Sequence, residues 1–141
     1  MKLTRVRRWC GRYVGVASIG SAALLCLAPR ASAQSFPFGS ERVLDAEPMS
    51  GSKKIPSLNI GQNGAAEIEL WCNSVKAQLV VAGNTITIIT GAMSTRRCPP
   101  DRVRADDDLL AALNQVTNWR MEDSALVFTG ARTLRFRRQT N

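Results

Sequence analysis

Two β-rich runs, Ser74 to Ala82 and Thr85 to Thr90, meet at Gly83-Asn84 and are bracketed by Cys72 and Cys98. No other stretch narrows the fold as much. Branching at Cβ stiffens χ1 and suits a pleated, half-buried strand. Gly83-Asn84 supplies the positive φ that a two-residue hairpin loop requires. The spacing therefore predicts an antiparallel hairpin between Trp71 and Pro99, tied at its base by a Cys72–Cys98 disulfide.

Whether those thiols pair depends on the compartment, and the first residues speak to that. Lys2, Arg5, Arg7, Arg8 and Arg12 precede an apolar run from Val14 to Leu27, and Ala31-Ser32-Ala33 follows. A basic start, a short apolar middle and a small-x-small end form a secretory signal peptide over residues 1–33, with Gln34 as the new N-terminus. The apolar run is too short and too rich in Gly and Ser to span a bilayer. A retained N-terminal anchor and, less well matched, a lipoprotein at Cys26 are the other readings.

Cleavage would remove Cys10 and Cys26, leaving Cys72 and Cys98 alone in an exported chain. Such a pair reads as one disulfide, with two buried free thiols as the alternative. A bridge closing a loop of this length contributes about 3–4 kcal/mol in the chain-entropy account. Cleavage also changes the charge. The 19 Lys and Arg against 11 Asp and Glu give +8 and an isoelectric point near 10.2. Six of those basic residues lie before Gln34, so the remainder carries only +2. The basic character belongs mainly to targeting, and nucleic acid is not an expected partner.

Residues 34–54 carry recurrent Ser, Gly and Pro without a clear apolar period and read as an irregular lead-in, with Val43-Leu44 as a short edge strand. Residues 55–141 read as one domain. Ile55 to Ile60 is a strand, and Gln62-Asn63-Gly64 a turn. From Ala66 to Cys72 the pattern alternates: Ile68, Leu70 and Cys72 face one side, and Glu67, Glu69 and Trp71 the other. A helix is expected from about Ala105 to Val116. Asp106, Asp107 and Asp108 would cap its start, and Leu109, Leu110, Leu113 and Val116 would form its apolar stripe. Strands return around Trp119 and Met121, Leu126 and Phe128, and Leu134 and Phe136. Strands, one helix, then strands, with no repeated βαβ unit, predict an α+β fold: an antiparallel, barrel-like sheet with one helix packed on it.

The ordered set of short motifs resembles the META domain, the HslJ-type heat-shock family. It consists of Cys72-Asn73, a hairpin through Gly83, Met93-Ser94-Thr95 ahead of Cys98-Pro99, the aliphatic helix, Trp119-Arg120-Met121-Glu122 and Leu134-Arg135-Phe136. The likeness covers about residues 55–138. It implies an exported envelope protein linked to stress or antibiotic tolerance, and it brings no catalytic residues with it.

Chemistry is sparse. The chain has no His, which removes Ser-His-Asp and Cys-His nucleophiles and the usual zinc sites. Ser50-Gly51-Ser52-Lys53 matches a Ser-x-x-Lys string but lies in a Gly/Ser loop without its companion motifs. Glu67 and Glu69 share a strand face, where solvated carboxylates are ordinary. The Asp106–Asp108 run lacks the Gly and distal Glu of a calcium loop. No enzyme activity, metal or cofactor is expected. The binding candidates are Trp71, an aromatic on the outer face, and the arginines Arg96, Arg97, Arg135 and Arg137. With Arg102, Arg104, Arg132 and Arg138 these could form a basic patch. The expected function is non-enzymatic binding in the periplasm or outside the cell. The partner would be an envelope protein or an anionic cell-wall or outer-membrane polymer, and no transmembrane segment would remain after cleavage. The rival reading is an inhibitor of an envelope enzyme, a lysozyme or a protease, with the loops at Trp71 or Thr95–Cys98 as the plug.

Overall fold

A computed structural model describes residues 34–139. The expected signal peptide over residues 1–33 lies outside the described residues. Eight strands follow one another: β1 (Ser40–Leu44), β2 (Ser57–Ile60), β3 (Ala65–Glu69), β4 (Ser74–Ala82), β5 (Thr85–Met93), β6 (Asn118–Glu122), β7 (Ala125–Thr129) and β8 (Leu134–Arg138). One helix, α1 (Pro100–Asn114), separates β5 from β6. Every strand pairs antiparallel with its sequence neighbour, and β1 pairs with β8 to close a barrel. This is the expected α+β architecture, with the sheet fully closed.

Closure explains the alternation. Side chains that point inward fill the barrel, and those that point outward meet solvent. Leu58, Ile60, Ile68, Leu79, Ile86, Phe128 and Phe136 are all buried within one core cluster. Phe128 and Phe136 meet edge to face at 5.7 Å between centroids. Burying side chains of this size contributes about 1.5–3 kcal/mol each. The β7 residue Val127 is buried on the other face, opposite Arg120 and Arg135 in register.

Turns set the register. Gly83 has φ +60° while Asn84 does not have positive φ, the pattern of a type II′ loop between β4 and β5. Gly64, at φ +80°, opens β3; a Cβ there would lie 2.5 Å from the Leu79 carbonyl oxygen. Contact that close needs a residue without a side chain. Near its end β5 carries an irregularity, the register shifting between Val75 and Ala77 of β4. Such a bulge bends the strand, and β5 then leaves the sheet toward Cys98.

Two expectations need correction. The lead-in over residues 34–54 is not wholly irregular, because Ser40–Leu44 is a barrel strand paired on both sides rather than at an edge. Its inward positions are Arg42 and Leu44, both buried, and an arginine in an inward slot hides the apolar alternation. The helix begins at Pro100, not near Ala105. Proline suits the first helical position, where its missing N–H costs nothing. The acidic run therefore lies mid-helix and caps nothing there. Asp106 instead joins Leu109, Ala112 and Leu113 on the buried face of α1.

Candidate functional site

Asp106 is fully buried, and its carboxylate organises a corner of the molecule. Oδ1 accepts the Cys72 N–H at 3.1 Å. Oδ2 accepts the Asn73 backbone N–H at 2.8 Å and the Asn73 side-chain N–H at 3.0 Å. A buried carboxylate is tolerable when several donors replace its water. Asn73 passes the constraint on: its Oδ1 accepts the Arg96 N–H at 2.9 Å and the Ser94 hydroxyl at 3.3 Å. The Ser94 oxygen in turn accepts the Ser74 N–H at 3.0 Å.

The disulfide closes the same corner. Cys72 and Cys98 are bonded, with Cα atoms 6.1 Å apart, inside the reach of such a bridge. It links the β3–β4 turn to the connection between β5 and α1, close to the expected base of the hairpin. The three links (carboxylate, amide and disulfide) hold the β3–β4 turn, the exit of β5 and the helix to one another.

Trp71 immediately precedes this corner and is half-buried against the core. It forms one wall of an open cleft of about 410 Å³. Leu44, Asp45 and Ala46 enter from the end of β1, and Ala105, Asp108 and Leu109 from α1. Arg132 and Thr133 come from the β7–β8 turn, and Leu134 and Arg135 from the start of β8. The cleft thus joins an aromatic face and an aliphatic lining to two carboxylates and two guanidiniums.

The charges are partly committed. Arg135 Nη1 meets Glu122 Oε2 at 2.7 Å, and its Nε lies 3.7 Å from Asp45 Oδ2. Arg137 reaches the other oxygen of Asp45 at 3.7 Å. Arg120 also pairs with Glu122, at 2.6 Å. Hydrogen bonding from Arg120 foremost, with the positive charges of Arg120 and Arg135 and a hydrogen bond from Arg135, holds the Glu122 carboxyl below its usual range against the opposing effect of desolvation. Arg132 donates to the Asp108 carbonyl oxygen at 3.2 Å.

Of the expected binding residues, the structure brings Trp71 and Arg135 together in the cleft. Arg137 lies one outward position further along β8 and shares Asp45 with Arg135. Arg96 and Arg97 are exposed in the loop after β5 and do not line the cleft. The eight arginines are therefore not one uninterrupted basic patch. Glu69 is paired with Lys54 at 2.8 Å, and neither Glu67 nor Glu69 lines the Trp71 cleft. Asp107 and Asp108 are exposed while Asp106 points inward, so the three do not converge. Ser50 and Lys53 are exposed in the loop between β1 and β2.

Residues 37–141 match the META domain family. The chain belongs to the META domain family. The match opens at Pro37, so β1 falls inside the META domain. None of the curated proteins matches the chain. A protein structure solved by NMR is similar in fold, with a TM-score of 0.56 and 18% identity over 70% of this chain and 88% of that one. In this META domain, sequence reading did not place in the interior the polar residues that are buried among the described residues: Arg42, Asn73 and Asp106. Asp106 had a readable signal. A helix begun at Pro100 sets residues 106, 109 and 113 on one face, and two of these are leucines.

Proposed function

We propose that this META domain acts by binding, without catalysis, in the cell envelope, and that the cleft beside Trp71 is where it binds. The observation that carries this reading is the composition of the cleft. An indole face and the aliphatic lining of Leu44, Leu109 and Leu134 would take an apolar or saccharide surface. Arg132 and Arg135 at its rim would take acidic groups, Arg135 by exchanging part of its pairing with Asp45. An amphipathic, acidic component of the envelope, such as a cell-wall or outer-membrane polymer, fits that set. Binding such a component would be the link to the stress or antibiotic tolerance that the family resemblance implies.

Two further features support the envelope. The residues before Gln34 read as an export signal, and the Cys72–Cys98 bridge is at home in an oxidising compartment. The absence of His supports a non-catalytic role. NMR titration of the oxidised protein with acidic cell-wall fragments and, separately, with lipopolysaccharide tests the reading. Expected are shifts at the Trp71 indole and at Arg132 and Arg135, lost in Trp71→Ala. Titrations that leave these resonances unmoved would contradict it.

A further inference from the structure

Outside the cleft lies a charged segment, Thr95-Arg96-Arg97, exposed and outside the regular elements. It is charged yet tightly held. Upstream, the Ser94 N–H donates to the Ser74 carbonyl oxygen at 2.9 Å. The Arg96 N–H is fixed on Asn73 Oδ1 at 2.9 Å, and Asn73 is itself fixed on buried Asp106. Downstream, Cys98 is covalently held to Cys72. Between these two fixed neighbours sits Arg97. Among the described residues, no hydrogen bond uses the Arg97 backbone, and neither Arg96 nor Arg97 forms an ion pair.

We propose that this segment is a substrate-like inhibitory loop for serine endopeptidases that cleave after arginine, with Arg97 as the residue that enters the specificity pocket. Such a pocket carries a carboxylate that receives a guanidinium. The peptide groups of Arg97 are free to pair with an enzyme strand, as extended ligands do. The flanking residues are already immobilised, so binding would lose little conformational entropy. Arg96 is the poorer candidate, because its N–H is already spent on Asn73.

The same constraints resist turnover. In the acylation step, the protease serine oxygen bonds to the Arg97 carbonyl carbon. The bond from that carbon to the Cys98 nitrogen breaks, and the nitrogen leaves as an amine carrying the proton from the protease histidine. In an ordinary substrate the amine then diffuses away. Here Cys98 stays bonded to Cys72, and the acyl side stays anchored through Arg96 and Asn73. The amine remains beside the acyl carbon at high effective concentration and re-forms the peptide before water replaces it. Asn73 is a positioning residue in this scheme.

The proposal stands apart from the Trp71 cleft, and its test uses different residues. The oxidised full chain is titrated against trypsin, with chymotrypsin as the control for pocket chemistry. Residual activity on a small peptide substrate is measured, together with the amount of chain cleaved. Near-stoichiometric loss of trypsin activity is expected, with little effect on chymotrypsin. Arg97→Ala should weaken inhibition at least ~100-fold, the scale of a lost anchor residue, and Arg96→Ala less than ~10-fold. Both substitutions are at exposed positions, and an unchanged melting temperature confirms the fold. Asn73→Ala should turn the chain from inhibitor toward substrate, with faster cleavage between Arg97 and Cys98. A wild-type chain cut to completion without inhibiting, or Arg97→Ala inhibiting as well as wild type, would overturn the proposal.

Discussion

Among the described residues two charged side chains are buried, and they are treated differently. Asp106 on α1 receives three N–H donors from Cys72 and Asn73. Arg42 on β1 is 1% exposed, yet it donates only to neutral oxygens, the Ser124 carbonyl at 2.7 Å and the Ser40 hydroxyl at 3.2 Å. Burial first, and then the neighbouring Arg138, lower its pKa. The carboxylate is the hub of a network whose members depend on it. The guanidinium is a long side chain that packs well and bonds modestly. Removing a hub strands its donors, whereas replacing a weakly partnered buried charge by an apolar side chain relieves a desolvation cost.

The largest expected effect is therefore Asp106→Ala. It leaves the two buried Asn73 donors and the half-buried Cys72 N–H without their acceptor and should cost about 3–5 kcal/mol by urea unfolding. Next comes the disulfide. Cys72→Ser should cost about 3.5 kcal/mol, and Cys98→Ser the same. The double variant should lose little more than either single, because all three break one link. Clearly additive losses would show that the thiols act separately. Arg42→Met should change stability by less than about 1.5 kcal/mol, since the lost hydrogen bonds and the relieved desolvation oppose each other. A loss as large as that of Asp106→Ala would erase the contrast drawn here.

The smallest effect concerns Glu122, which is half-exposed. Its folded-state pKa lies below the ordinary 4.5. A carboxyl held low stabilises the fold above its unfolded value and loses that contribution as pH falls through the folded value. Glu122→Gln should therefore be slightly less stable than wild type near neutral pH, and the gap should close on acidification below about 4.5. A gap that widened in acid would reverse the assignment.

Legibility in the sequence followed the range of the interactions. Alternation placed Ile68, Leu70, Phe128 and Phe136 in the core, and the cysteine pair was readable because few partners were available. The first strand was obscured by Arg42, since an inward arginine looks like an outward one until its acceptors are known. The helix start was misplaced because carboxylates near a helix suggest a cap, and Asp106 had to be seen beside Asn73 to be read otherwise. The cleft was legible only in part. Trp71 and Arg135 could each be singled out, but their meeting depends on the order of strands around the closed barrel. Arg96 and Arg97 looked like members of the same patch, and only the exit path of β5 separates them from it.

The central claim is that one buried carboxylate holds this corner, and amide hydrogen exchange tests it most directly. Asp106→Asn preserves shape while giving up the charge and, at one position, the acceptor. Its exchange pattern should be compared with wild type under conditions where both are folded. The account predicts that the Cys72, Asn73 and Arg96 amides, protected in wild type, lose protection together while the β7 and β8 amides are unchanged. Equal protection of those three amides in both proteins would contradict it.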